Sequence, residues 1–271
     1  MRYGYLLLAL LISLPTQALT IHRLISDGAV LQRHQAIPIT GTTDATTVKV
    51  WLNDTLIGEA TAANQQWSVS LPAQTAGGPY ILKVEAEETQ VIRDLYFGDV
   101  YLTSGQSNME LPMARVEEAY PDDVKDADYP LIREFTVPDE YRFDGENQDY
   151  SSGQWLTATP AHIAKLSAVA HYFARELHLS EGVPIGIVNA SLGGSPIEAW
   201  MAKTLLTDYP DDIAAGEYFA NPQNIQTTQQ TEQAAQQAWY QALHELDKGL
   251  KDTPWFTPSL DDQDWQTLTV P

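Results

Sequence analysis

The sequence predicts an α/β protein: an N-terminal β-sandwich followed by a parallel sheet flanked by helices. Three features point there. From Leu19 to about Tyr96, short alternating runs are broken by turn residues roughly every 8–12 positions, as in a sandwich of antiparallel strands. Asp99-Val100-Tyr101-Leu102-Thr103 and Ile185-Gly186-Ile187-Val188-Asn189 are near-continuous apolar runs, the pattern of parallel strands covered on both faces. Between them Leu166 to Leu179 places Leu166, Val169, Ala170, Phe173 and Leu177 at helical spacing, completing a strand–helix–strand unit.

The elements follow in order. Residues 1–18 have a basic start (Arg2), an apolar run from Leu6 to Leu14, and small residues at Thr16 and Ala18. That run is too short for a membrane span and fits an export signal cleaved after Ala18, so a periplasmic or extracellular location is expected. Residues 19–96 form the sandwich, with strands at Val48–Leu52, Gln66–Leu71 and Tyr80–Glu85. Asn53-Asp54, Pro72 and Gly77-Gly78-Pro79 separate them. Residues 97–252 form the second domain. Its polar stretch from Asp144 to Gly153 reads as a loop, and Gly182 with Pro184 stops the Leu166–Leu179 helix. Thr227 to Leu250 reads as a long helix with Ala235, Ala238, Trp239, Ala242, Leu243, Leu246 and Leu250 on one stripe. Residues 253–271, punctuated by Pro254, Pro258 and Pro271, read as the start of a further β-rich domain that is cut short.

Bulk composition excludes several classes. With 15 Lys+Arg against 36 Asp+Glu, net −21, the chain repels phosphate backbones, so nucleic acid is not expected as a partner. Cysteine is absent, which removes disulfides, thiol nucleophiles and thiolate metal sites. No later run is apolar enough to span a membrane.

Ser107 carries the candidate chemistry. It follows an apolar strand in the segment Ser104-Gly105-Gln106-Ser107-Asn108-Met109, and in parallel sheets ligands bind beyond the strands' carboxyl ends. Backbone N–H groups around such a serine can stabilise an oxyanion, an effect of about 3–4 kcal/mol per donor. The second strand leads to Gly193-Gly194, and glycine lets a backbone amide approach a substrate closely. By composition alone, a serine and two glycines in turns are equally read as plain turn residues.

Longer blocks add weight to the chemical reading. Asp27-Gly28-Ala29-Val30-Leu31-Gln32-Arg33, Phe97-Gly98-Asp99-Val100, and Gly105-Gln106-Ser107-Asn108-Met109-Glu110 stand in order. Ser167-Ala168-Val169-Ala170, Phe173-Ala174-Arg175-Glu176-Leu177, Val183-Pro184-Ile185-Gly186 and Gly193-Gly194-Ser195-Pro196-Ile197-Glu198-Ala199-Trp200 follow. Together they resemble the sialate O-acetylesterase family, a branch of the SGNH hydrolases, over nearly all of the chain after residue 18. The resemblance implies that residues 97–252 are an incomplete SGNH domain, flavodoxin-like and three-layered. It further implies serine acyl transfer releasing acetate from an O-acetylated sugar. Ser107 is then the nucleophile, Gly193 or Gly194 an oxyanion-hole donor, and no metal or organic cofactor is required.

The family's later blocks have no counterpart here. It supplies its base as an Asp-x-x-His or Asp-x-His pair and a further oxyanion donor in Gln-Gly-Glu-x-Asn. None of the six histidines (His22, His34, His162, His171, His178, His244) has an aspartate two or three residues before it. His171 and His178 on the helix, and His244 beside the later stripe, read as helix-surface residues, and Asn189 belongs to a different block. The expectation is a nucleophile-bearing front half, weakly active or inactive alone. Two alternatives stay open: a non-catalytic carbohydrate-binding fragment, and an esterase for acetyl-xylan-type polysaccharides. Asp122-Asp123 and Asp126-Ala127-Asp128 lack the glycine and closing glutamate of a calcium loop and read as a solvated acidic stretch. Glu198 reads as a helix-start residue, and Trp51, Trp67 and Trp200 as core tryptophans or sugar platforms.

Overall fold

The computed structural model describes residues 18–140, 142–143, 145–251 and 253–269. The export-signal reading therefore lies outside the described residues except at Ala18. The chain forms two compact units, residues up to 141 with 146–201, and residues 142–145 with 202 onward.

The first unit is a mixed α/β structure built on one large sheet. Its strands are β1 (Val30–Gln32), β2 (Ile37–Thr42), β3 (Thr47–Leu52), β4 (Thr55–Thr61), β5 (Gln66–Leu71), β6 (Gly77–Glu85), β7 (Thr89–Gly105), β8 (Tyr129–Thr136), β9 (Trp155–Ala158) and β10 (Ile185–Ser191). The sheet runs β4-β3-β6-β7-β10-β8-β9 with β1 beside β7, and β2 and β5 pair separately. Alternation sets the faces: β5 buries Trp67, Val69 and Leu71, and β3 buries Val48, Val50 and Leu52. These side chains meet Ile39, Leu82, Val84, Leu95 and Phe97 in one core, the main source of stability here. Asn53 turns the β3–β4 hairpin at φ 52°, a backbone region asparagine tolerates.

Gly77-Gly78-Pro79 is part of β6 and not a separator. A Cβ on Gly78 would stand 2.6 Å from the Tyr96 ring and 2.8 Å from the Leu95 carbonyl, so its bareness lets β6 close on β7. Asp99–Thr103 likewise is the end of the much longer β7, which passes from antiparallel pairing with β6 to parallel pairing with β1 and β10. In-register pairs run from Ile185–Asp99 to Ser191–Gly105. On its other side β10 pairs in parallel with β8, from Ile185–Ile132 to Asn189–Thr136. β10 is buried as its sequence predicts, but Leu102 of β7 is 73% exposed, so that stretch is not covered on both faces among the described residues.

The sequence pattern does not reveal β8, because Arg133-Glu134 interrupts its apolar run. Both charged residues are buried. Arg133 is satisfied by the carbonyls of Gly28, Asp94 and Pro130 and lies 4.5 Å over the Tyr96 ring.

Helix α3 (Ala168–Glu181) starts at Ser167, whose hydroxyl accepts from the Ala170 amide, and ends on left-handed Gly182. Its buried face is Ala168, Ala170, His171 and Ala174, while Val169 and Phe173 are about half exposed. The expected stripe is thus rotated: small residues let the helix approach the sheet, and Phe173 sits at the flank edge-on to Tyr101. His171 is therefore a core residue and not a helix-surface one, 1% exposed with neither ring nitrogen hydrogen-bonded.

Burial, assisted by Arg175 and opposed by Asp123, lowers the His171 pKa to about 4. Between that value and the ordinary pKa of about 6.5 the unfolded chain binds a proton that the folded chain refuses. Stability should accordingly fall as pH drops from 6.5 to 4, and His171→Leu should flatten that segment. Urea midpoints measured across that range for both proteins test it, and parallel slopes would refute it.

Asp122 and Asp123 belong to a short helix, α2 (Pro121–Lys125), rather than a solvated loop. Asp123 accepts from Tyr172 and Arg175, which hold its carboxyl below the usual range. The second unit contains α4 (Pro210–Phe219) and α5 (Pro222–Leu246), each opened by proline at a first-turn position where no N–H is needed. α5 begins and ends earlier than Thr227–Leu250, and its apolar stripe, including Trp239, Leu243 and Leu246, is exposed. Residues 253–269 form turns in which Trp255 and Trp265 meet edge to face. No helix among the described residues is long and apolar enough to cross a membrane.

Candidate active site

The parallel register of β7 and β10 fixes the site. Both strands end at the same edge, where the Leu192 amide donates to the Gly105 carbonyl at 3.0 Å. Gly105, at φ +137°, turns the chain sharply enough for Ser107 to open the short helix α1 (Ser107–Glu110). Ser107 is exposed at this edge, and the first turn of a helix leaves its leading amides without intrahelical partners.

The two glycines after β10 differ. A Cβ built on Gly193 would lie 3.4 Å from Ser107 Oγ, whereas one on Gly194 would meet nothing within 4 Å. Gly194 has φ +78° and supplies the bend. The Gly193 amide donates to Glu110 Oε2 at 2.5 Å, so an anionic oxygen already rests on this N–H beside the serine. Glu110 is given no role by the sequence because it is an exposed acidic residue; its signals are its place at the end of the Gly105–Glu110 block and one turn after Ser107.

Buried polar groups support the serine turn. Ser167 Oγ donates to the Met109 carbonyl at 2.6 Å, and the Ala168 amide donates to the Leu111 carbonyl at 2.8 Å. Ser167 N–H in turn donates to Glu134. Asn189, 3% exposed, donates to Glu134 and accepts from Ser191.

Among the described residues no histidine is hydrogen-bonded to Ser107. His22 Nε2 lies 3.7 Å from Asp149, and His162 Nδ1 pairs with the Thr157 hydroxyl. His178 Nδ1 contacts the Val183 carbonyl at 2.7 Å, and His171 is sealed in the core. His34 is an exposed turn residue at φ 63°. His244 lies on α5 in the second unit. Of the tryptophans, Trp67 is 3% exposed, and Trp51 is tied to Glu85 with Lys83 over its ring. Trp200 is 41% exposed and donates to Ser195 Oγ, just after the Gly193 loop. Glu198 lies in a single 3-10 turn, Ile197–Trp200.

Comparison with known proteins places the chain in a family. The profile of the family described as carbohydrate esterase, sialic acid-specific acetylesterase, matches residues 97–242, just over half the chain. The chain belongs to this family. It is 32% identical over 154 residues to the sialate O-acetylesterase of Rattus norvegicus, covering 52% of this chain and 28% of that protein. The sialate O-acetylesterase of Mus musculus is 31% identical over 186 residues, covering 60% of this chain and 34% of that protein. Among solved structures, a carbohydrate acetylesterase from Xanthomonas citri superposes with a TM-score of 0.67 at 40% identity. That match covers 71% of this chain and 44% of the other. The chain thus spans about a third or less of these curated relatives and under half of the solved one. The family match contains both Ser107 and the Gly193 loop.

The glycines can be told apart by substitution in the protein as its source makes it. Gly193→Ala places a methyl 2.5 Å from Glu110 Oε2 and against Ser107, and kcat/KM for acetyl esters should fall at least about tenfold with little loss of stability. Gly194→Ala should instead cost about 1–2 kcal/mol of backbone strain. Equal kinetic losses at both positions would leave Gly193 without its special place.

Proposed function

We propose that this chain is the nucleophile-bearing part of a serine carbohydrate O-acetylesterase of the sialate O-acetylesterase type. One observation supports it above the others: a carboxylate oxygen held by the Gly193 amide next to Ser107 Oγ, where an ester-derived oxyanion would need a donor. Ser107 Oγ attacks the acetyl carbonyl and gives up its proton to a base, and the oxyanion takes the place of Glu110 on the Gly193 amide. Collapse expels the sugar oxygen, which takes a proton, and leaves acetyl on Ser107. Water then adds, releases acetate and restores the hydroxyl.

Among the described residues no histidine is hydrogen-bonded to Ser107, and in this reading the base comes from another part of the protein. In this reading the antiparallel strands of residues 19–96 form a β-sandwich, and β7, β10 and β8 are the inner layer of an SGNH domain. Residues 253–271 open a further β-rich domain, and the protein is exported through residues 1–18 to act on glycans outside the cytoplasm.

The test is acetate release by the protein as its source makes it, from O-acetylated sialic acid and from acetylated xylan side by side. Turnover of the sialic acid ester supports the reading, preference for xylan shifts the substrate, and no turnover of either overturns it. The Ser107 hydroxyl, without a hydrogen-bond partner among the described residues, also suits a non-catalytic carbohydrate-binding role. Glycan binding that survives Ser107→Ala, without acetate release by the parent, would favour that role.

A further inference from the structure

Behind the two site loops lies a buried carboxyl to which the acyl-transfer steps give no role. Glu134, on β8, is 3% exposed. Its carboxylate accepts from the Ser167 amide at 3.1 and 3.3 Å, from Asn189 Nδ2 at 3.2 Å and from the Thr136 hydroxyl at 3.2 Å. Nothing local explains this placement, since a leucine in the same strand would bury more cheaply than a carboxyl.

We infer that Glu134 is a positioning residue, anchoring the Ser107 turn and the Gly193 loop to one point in the sheet. The inference rests on Ser107 and Gly193 being the reacting groups. One arm of the anchor runs through Ser167. Its amide is held by Glu134, and its hydroxyl donates at 2.6 Å to the carbonyl of Met109, two residues past Ser107. The other arm runs through Asn189, held by Glu134, whose Oδ1 accepts from the Ser191 hydroxyl at 2.8 Å. Ser191 pairs in register with Gly105, two residues before Ser107, and leads into the Gly193 loop. Both loops are thereby referred to the same carboxyl, and a chain of directional bonds transmits any shift of it to both. Burial pushes the Glu134 carboxyl up from its ordinary pKa, while its hydrogen-bond donors pull it back. A glutamine of the same length keeps an acceptor at the Oε1 place, toward Asn189, Thr136 and Ser167, while its amide nitrogen takes the Oε2 place 3.1 Å from the Ser167 nitrogen and loses that bond.

The experiment uses the protein as its source makes it, with acetate release from O-acetylated sugar and amide hydrogen exchange read in parallel. Glu134→Gln, which keeps the Oε1 contacts and loses the Oε2 one, should lower kcat clearly less than Glu134→Leu does. Glu134→Leu, which fills similar space without an acceptor, should lower kcat at least about tenfold with KM changed less than threefold. Amide exchange over residues 105–111 and 191–194 should accelerate in the leucine variant and much less in the glutamine variant. Ser167→Ala should lower kcat less, and adding it to Glu134→Leu should lower kcat little further, because both cut the same arm. The inference is overturned if leucine leaves kcat and exchange unchanged, if glutamine is as damaging as leucine, or if the two losses multiply in full. Should Glu134→Leu fail to fold, Ser167→Ala decides the first arm by exchange at residues 107–111. If Ser107→Ala leaves acetate release intact, the assignment of the reacting groups fails, while the exchange comparison still judges the anchor.

Discussion

Ser107→Ala should lower acetate release by at least about 10³-fold while leaving folding unchanged. The loss is expected to be this large because the proposed reaction passes through a bond to Ser107 Oγ. A neighbouring hydroxyl cannot replace it, since Ser104 lies back in β7 and Ser191 is buried and committed to Asn189. Stability should stay within about 0.5 kcal/mol, because Ser107 is exposed and its hydroxyl supports no neighbour among the described residues. Acetate release and thermal midpoint, measured on the same preparations, separate the two effects. Turnover within tenfold of the parent would remove Ser107 from the chemistry, and a large fall in midpoint would turn the loss into unfolding.

The parts of this site that can be read in the sequence are those with a strong local signal. Two continuous apolar runs lead into Gly105 and Gly193, and a parallel pair of strands has little choice but to deliver both turns to one edge. The parts that cannot be read depend on contacts between distant segments. Glu134 breaks the apolar pattern of its strand, so periodicity hides β8. Its partners Ser167 and Asn189 lie 33 and 55 residues away. His171 looks like a surface residue on a helical wheel because Val169 and Phe173 suggest the wrong inward face. Only the close approach allowed by Ala170 and Ala174 turns it into the core. Glu110 has no periodic signature, and its contact with Gly193 exists only once β7 and β10 are paired. The glycines misled in the opposite direction: Gly77-Gly78 read as a break, yet they sit inside β6, and at Gly78 β7 comes too close for a side chain.

Gly98 is a more severe case of such closeness than Gly78, and Gly98→Ala should destabilise the first unit by more than about 3 kcal/mol. Its φ is not in the left-handed region, so the effect is one of space. A Cβ there would fall 1.9 Å from the carbonyl oxygen of Pro184 and 2.6 Å from its carbonyl carbon. Neither can yield cheaply. The Pro184 oxygen accepts from the Asp99 amide at 3.0 Å, and the Gly98 carbonyl accepts from Arg33 N–H at 2.8 Å, whose guanidinium is itself paired with Asp99. This is the point where β7 leaves its pairing with β1 and begins its pairing with β10, just before Ile185 pairs with Asp99. Relief of the clash has to separate the two strands at their first rung, and the shift propagates toward the far ends that carry Ser107 and Gly193. Gly98→Ala should therefore lower the urea midpoint and, in whatever fraction stays folded, reduce kcat for acetyl esters. Near-parental stability would show that β7 and β10 slide apart easily here. Their register would then be set by the core beneath Ile187 and Val188 rather than by the close contact at Pro184.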